Sequence, residues 1–315
     1  MSDNPIVIDC DVGVDDAVAI ALCLAQNQNL IGITCVHGNT SLENVTKNTA
    51  WVTSVCKRPE IPVFGGAEKS FIGDNLFAHE FHGEGGLGGM SAPSDKKDSI
   101  CDEHAVSALL RMTKERPGEI TLLAIGPLTN VGLAIRMDPG FSKRLKELII
   151  MGGNTTGKGA VRPGAEFNFS CDPEAAHVVV QEMECPVTIV PFETCYDTGL
   201  PWEWYDSLAQ SSSSVCRFLS EITSHSTVRQ QNKGKPTFVM CDALAAAIAI
   251  DKKVITEVRR GPIHVERSGM YTRGQMMEMS ALWDGDKAYS GPPVDVVIKA
   301  DGERFYSLMN GLKNL

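Results

Sequence analysis

The segment Ile6-Val-Ile-Asp9-Cys-Asp11-Val-Gly13-Val-Asp15-Asp16-Ala17 decides how the rest of the chain is read. An apolar run enters a group of four carboxylates and leaves as a helical pattern. A strand without period-2 alternation is one buried on both faces, the habit of parallel sheets. In such sheets ligands bind outside the carboxyl ends of the strands. Asp9, Asp11, Asp15 and Asp16 therefore stand where a crevice opens. Like charges crowded there repel unless a cation gathers them. Asp15 and Asp16 also occupy a first helical turn, which favours anions, but capping alone asks for one carboxylate.

Working outward, apolar runs keep alternating with helical patterns. Strands are expected at 6–9, 30–36, 61–64, 120–125, 147–151 and 187–190. Helices are expected at 15–26, 42–56, 103–115, 128–137 and 172–183, the last with Pro173 in a favoured first-turn position. This alternation builds βαβ crossovers and implies an α/β, Rossmann-like fold with a mostly parallel central sheet flanked by helices. Neither a repeat nor a linker interrupts it, so one domain over 1–315 is expected. The Gly-rich, polar stretch 71–97 has no periodicity, and a loop of that length is usually functional. Residues 202–238 read as helical and more polar, suited to part of a lid over the sheet.

The chain has 315 residues, with 43% hydrophobic and 22% charged, the balance of a soluble globular protein. A net charge of −10 argues against nucleic acid as a partner, since a phosphate backbone rewards Lys and Arg. The longest apolar runs, 17–25 and 243–250, fall short of the roughly 20 residues a membrane span needs. MSDNPIVIDC lacks the basic region of a signal peptide. Ten cysteines without a Cys-x-x-Cys pair suit a reducing cytoplasm.

Three motif families compete for the opening segment. An EF-hand loop counted from Asp9 would meet Gly13, Val14 and Ile20 where it needs an acid or amide, Gly and Glu, and fails. A dehalogenase-type phosphatase also places Asp-x-Asp after its first strand, but leaves Asp15 and Asp16 unexplained. The segment best resembles the signature of the nucleoside hydrolases, Asp-x-Asp-Pro-Gly-x-Asp-Asp-Ala, with Val12 in place of Pro. The resemblance continues through Gly38-Asn39, His82-Gly-Glu-Gly-Gly-Leu-Gly88, Gly126-Pro-Leu-Thr-Asn130, Met151-Gly-Gly153, Ala165-Glu-Phe-Asn168, Asp172-Pro-Glu-Ala-Ala176 and Asp242. So many ordered motifs are far more specific than any one of them. A near P-loop, Gly152 to Gly159, lacks the hydroxyl residue after its Lys158, and Pro163-Gly164 blocks the helix that should follow.

The resemblance implies hydrolysis of the N-glycosidic bond of ribonucleosides to ribose and free base. It implies Ca²⁺ held by Asp11, Asp16, Asp242 and the carbonyl of Ile125, with Asp11 as general base toward a water on the ion. Asp15, Asn39, Met151, Glu166, Phe167 and Asn168 would hold the sugar. It implies chelation of the ribose diol, hence rejection of 2′-deoxynucleosides, and a homodimer or homotetramer. His82 joins the catalytic candidates, although loop histidines are often merely solvated. Cys241 stands where many relatives carry a His that protonates the leaving base, which marks a cysteine-type subgroup. Cys35 is a second candidate for that pocket. A purine, whose N7 accepts a proton, suits both thiols, with a broad or pyrimidine preference as the alternative. Ala160 replaces an Asn that contacts ribose in many relatives, which predicts weaker binding. Outside this class, the chain reads as a dehalogenase-type phosphatase or a catalytically weak binder of nucleoside or Ca²⁺.

Overall fold

The computed structural model describes residues 4–159, 161–279 and 291–315, so Ala160 lies outside the described residues. Its strands are β1 (Pro5–Cys10), β2 (Asn29–Cys35), β3 (Val63–Gly65), β4 (Ile100–Cys101), β5 (Thr121–Ala124), β6 (Glu147–Met151), β7 (Val187–Val190), β8 (Ile255–Gly261), β9 (Ile263–Val265), β10 (Met276–Glu278) and β11 (Val294–Ala300). Nine of them form one sheet in the order β4-β3-β2-β1-β5-β6-β7-β11-β8, while β9 and β10 form a separate antiparallel pair. Every neighbouring pair in the large sheet is parallel except β11 with β8. The expected α/β fold with a mostly parallel sheet is therefore the observed one.

The chain winds from β1 toward β4, then restarts at β5 on the other side of β1. The order reverses between β1 and β5, and a crevice opens at the carboxyl ends of these two strands. β1 buries both faces: Ile6, Ile8 and Cys10 point into one apolar layer and Val7 into the other. The first layer holds the helices Val14–Ala25, Ser214–Asn232 and Cys241–Ile250; the second holds Ala105–Glu115, Thr129–Met137 and Pro173–Glu182. Burying each Val, Leu or Ile side chain in such a layer contributes about 1.5–3 kcal/mol.

The helices begin where the sequence punctuates them. Ser41 Oγ accepts from Asn44 N at the start of Leu42–Val55. Asp172 caps Pro173–Glu182 and takes the amide of Ala175 at 3.0 Å. Residues 202–238 are not a superficial lid. Trp204, Leu208, Phe218, Leu219 and Ile222 on the Trp202–Ala209 and Ser214–Asn232 helices are buried in the first apolar layer. The 71–97 segment carries a helical turn, His79–His82, then positive-φ glycines at 83, 86, 88 and 89, and runs into the 3-10 turn Ser94–Ser99.

Candidate active site

β1 ends at Cys10, and the chain passes Asp11 and Val12 before the Val14–Ala25 helix begins. Asp16, fully buried at the third position of that helix, accepts from Gly13 N at 2.9 Å and Asp11 N at 3.2 Å. A carboxylate reaching back to its own N-cap closes the first turn. Asn39, just beyond β2, donates its amide to Asp11 Oδ2 at 2.7 Å and its side chain to Asp16 Oδ2 at 3.0 Å. Gly38 makes that approach possible, because a Cβ there would be driven into the Asp11 carboxylate. Gly13 is held to glycine in the same way by His82 and Asn39.

Asp242 comes from the far end of the chain, in the first turn of the Cys241–Ile250 helix. That helix packs on Val14–Ala25. Asp15, Asp16 and Asp242 then each present a carboxylate oxygen within 4.8 Å of the others. All four acids are buried. Burial, then the Asp16 charge, raises Asp11 and lifts Asp15 to about 7. Burial, then Asp15, raises Asp242. Burial raises Asp16 against the hydrogen bonds it accepts. Asp11 Oδ1 and Asp15 Oδ1 accept no hydrogen bond among the described residues. Buried carboxylates converging from separate segments, two of them with an unpartnered oxygen, fit a hard divalent cation, which takes oxygen donors of either charge.

The expected metal set was Asp11, Asp16, Asp242 and the Ile125 carbonyl. The tight cluster shares Asp16 and Asp242 with it, but brings in Asp15, the expected sugar holder, while Asp11 sits against Asp16. The Ile125 carbonyl, one residue past β5, accepts from Asn168 Nδ2 at 2.9 Å and keeps a second lone pair.

Of the expected sugar-binding residues, Asp15 and Asn39 stand at the acid cluster, while Met151, Glu166, Phe167 and Asn168 collect on the β6 side of the crevice. Asn168 Nδ2 also donates to the Met151 carbonyl at 3.1 Å, and Met151 closes β6. Glu166 caps the Phe167–Cys171 helix and takes the amides of Asn168 at 2.7 Å, Gly153 at 3.0 Å and Phe169 at 3.1 Å. Burial lifts its carboxyl to about 7 against those bonds. Phe167 is half-buried. No helix starts in the described residues between Gly152 and Ala165, which removes the near P-loop.

The nitrogen and sulfur candidates separate. His82 is buried and takes the Val14 amide on Nδ1 at 3.1 Å, with Asp15 Oδ1 3.8 Å away. Cys241 is half-buried beside Asp242, and its carbonyl accepts from Cys195 Sγ at 3.9 Å. The Cys195 thiol, then burial, pushes the Cys241 thiol well up. Cys35 corrects an expectation. The pleat of β2 aims it at the Leu42–Val55 helix, where Sγ lies 3.3 Å from Thr49 Oγ1 inside the core.

Several residues of the site carry no sequence signal of their own. Asn130 Nδ2 joins Asp9 Oδ1 and the Cys35 carbonyl, both at 2.9 Å, and its Oδ1 accepts from Ala67 N at 2.9 Å. It lay in a noted motif, but only the fold shows that it ties β1 to β2. Asn48 Nδ2 holds the Val12 carbonyl at 3.2 Å and that of Gly85 at 2.8 Å. Tyr196 follows Cys195, whose thiol reaches the Cys241 carbonyl, and the Lys235 ammonium lies 3.8 Å from the Tyr196 ring centre.

The family model described as inosine-uridine preferring nucleoside hydrolase matches residues 6–307. The chain is 31% identical over 307 residues to the inosine-uridine preferring nucleoside hydrolase of Crithidia fasciculata, covering 96% of this chain and 95% of that one. It is 30% identical over 313 residues to a pyrimidine-specific ribonucleoside hydrolase of Salmonella arizonae, covering 97% and 96%. The solved structure of an inosine-guanosine nucleoside hydrolase superposes with a TM-score of 0.88 at 29% identity, covering 98% of each chain.

Proposed function

The chain belongs to the inosine-uridine preferring nucleoside hydrolase family, and on that premise we propose that it hydrolyses purine ribonucleosides to ribose and free base, as one catalytic domain. The observation that carries the proposal is the buried cluster of Asp15, Asp16 and Asp242 with Asp11 against it, at the carboxyl end of β1.

Asp16, Asp242, Asp11 and the Ile125 carbonyl would hold Ca²⁺, with Asp15 as a further neighbour. When bound, the cation supplies an electrophile for the ribose diol and makes a water more acidic. Asp11 is the base. Its Oδ1 is unpartnered while Oδ2 is pinned by the Asn39 amide, so one oxygen orients the group and the other takes the proton. Asp15 faces the developing positive charge of an oxocarbenium-like sugar, and fixed carboxylates stabilise such charge without reorganising. Asn168 and Met151 line the ribose side, and Cys241 borders the departing base. The ten free cysteines support residence in a reducing cytoplasm. Among the described residues no helix is long and apolar enough to cross a membrane.

A reducing-sugar assay over inosine, guanosine, adenosine, uridine and cytidine, with and without a chelator, tests this. Release of ribose, fastest from purines and abolished by the chelator, is expected. Phosphate release from a nucleoside monophosphate with no ribose release would overturn it.

A further inference from the structure

Near the start of the helix that carries Asp242 stands a cationic group that none of the expected roles uses. Lys235 lies in the turn between the Ser214–Asn232 and Cys241–Ile250 helices, six residues before Cys241. Its ammonium sits 3.8 Å from the centre of the Tyr196 ring. Among the described residues no carboxylate pairs with it, whereas Arg229, six residues earlier, is held by Glu80 at 2.7 Å. The backbone of Lys235 is fixed: its N–H donates to the Gln230 carbonyl at 3.1 Å, and its carbonyl accepts from Trp202 Nε1 at 3.0 Å.

Tyr196 is fixed as well, on the Phe192–Asp197 helix with its ring against Phe192, centroids 4.4 Å apart. The phenol feels the charges of Cys241, Cys195 and Asp15, and the ammonium feels that of Cys241. Cys195, beside Tyr196 on that helix, reaches the Cys241 carbonyl at 3.9 Å, which sets the pair next to the helix that carries Asp242. Partial burial, then Lys233, makes the ammonium release its proton more readily. An ammonium on an aromatic face is oriented without being neutralised, and keeps donors for a ligand.

We propose that Lys235 donates the proton that lets the base leave, that Tyr196 positions it, and that the bases it serves are 6-oxopurines. This rests on the nucleoside hydrolase function proposed above. Such bases offer N7 and O6 as adjacent acceptors to one ammonium. As the C1′–N9 bond breaks, its electron pair moves into the base and N7 takes the proton from Lys235 Nζ. The attacking water forms the C1′–O bond and gives a proton to Asp11. That proton returns to the amine through solvent, so one water is consumed per turnover. Proton donation then lies with the ammonium rather than with the Cys241 thiol.

The test compares inosine with p-nitrophenyl β-D-ribofuranoside, whose leaving group departs without protonation. In Lys235→Met, kcat for inosine is expected to fall by about 10²-fold or more, while kcat for the nitrophenyl riboside stays within ~3-fold. Lys235→Arg, which keeps the charge but does not release its proton, is expected to stay as slow on inosine as Lys235→Met, and recovery by Arg would overturn the proton-donor role. Each variant is checked by circular dichroism, and Lys235→Gln is the substitute should Met unfold the turn. Equal losses on both substrates in a folded variant, or no loss on inosine, would overturn the proposal. So would Cys241→Ala showing the split that Lys235→Met lacks. A wild-type protein that cleaves neither substrate would instead remove the nucleoside hydrolase function on which the proposal rests.

Discussion

The amide of Val14 donates to Nδ1 of His82 across 3.1 Å, joining the helix that carries Asp15 and Asp16 to the glycine-rich 71–97 segment. An acceptor Nδ1 puts the ring proton on Nε2. His82 is therefore a cap for an orphan helical amide before it is anything else. His82→Ala is expected to cost about 1 kcal/mol of stability, read as a lower melting temperature. Burial drives the His82 pKa down to about 3, so the ring is neutral throughout the working range. The rate–pH profile of the variant is expected to keep the shape of the wild type between pH 5 and 8. A limb that disappears with His82 would show that the ring titrates in catalysis.

Calcium should stabilise the fold through the same acids that serve the chemistry. A cation that binds only the folded chain adds about 2.7 kcal/mol at a hundred times its dissociation constant. Melting temperature is expected to climb with added CaCl₂ and to fall with a chelator. In Asp242→Asn the climb should be lost, because one of three converging carboxylates is gone. A calcium-independent melting curve in the wild type would remove the ion from this site.

Sugar discrimination is a separate consequence. A site that engages both ribose hydroxyls leaves buried polar groups unpaired when one is missing. Inosine should exceed 2′-deoxyinosine in kcat/KM by about 10⁴-fold. Comparable rates would mean that the diol is not held.

The fully buried His37 offers a test in acid. Its Nε2 lies 3.3 Å from Thr129 Oγ1, its Nδ1 has no partner among the described residues, and burial lowers its pKa from 6.5 to about 4. Between those two values the unfolded chain binds the proton and the folded one refuses it. Stability therefore falls as pH drops through that window, by about 3 kcal/mol from this residue. Urea unfolding at pH 7 and pH 4 is expected to show a smaller acid loss in His37→Gln than in the wild type. Equal losses would assign the acid sensitivity elsewhere.

The strands from β1 to β7 that read as apolar runs did so because parallel strands under two helical layers have no wet face. β8 escaped that logic. Its sequence, Ile255-Thr-Glu-Val-Arg-Arg-Gly261, is exposed over its five central residues and pairs only with β11, so charge and periodicity mimic a loop. At the site, Asp11, Asp15 and Asp16 were legible because carboxylates so close together are costly without a purpose. Asp242 was legible only through resemblance, since one Asp opening a helix looks like a cap. Cys35 misled because proximity along the chain to Asn39 says nothing of which way the pleat turns it. Lys235 and Tyr196 left no trace, since their meeting depends on packing between segments far apart in sequence.

The dependence of the acid cluster on Asp242 also orders events in time. A ribosome releases Asp15 and Asp16 early, and the Val14–Ala25 helix can wait in the nascent chain with its acids uncompensated. The cluster closes only when the Cys241–Ile250 helix, which follows Val14–Ala25 in the chain by some two hundred residues, docks on it. Capture of a cation there would report that the two segments have been made and joined. A product truncated before that helix would lack the third carboxylate of the cluster and, on the proposed function, would neither hold the ion nor act on a nucleoside.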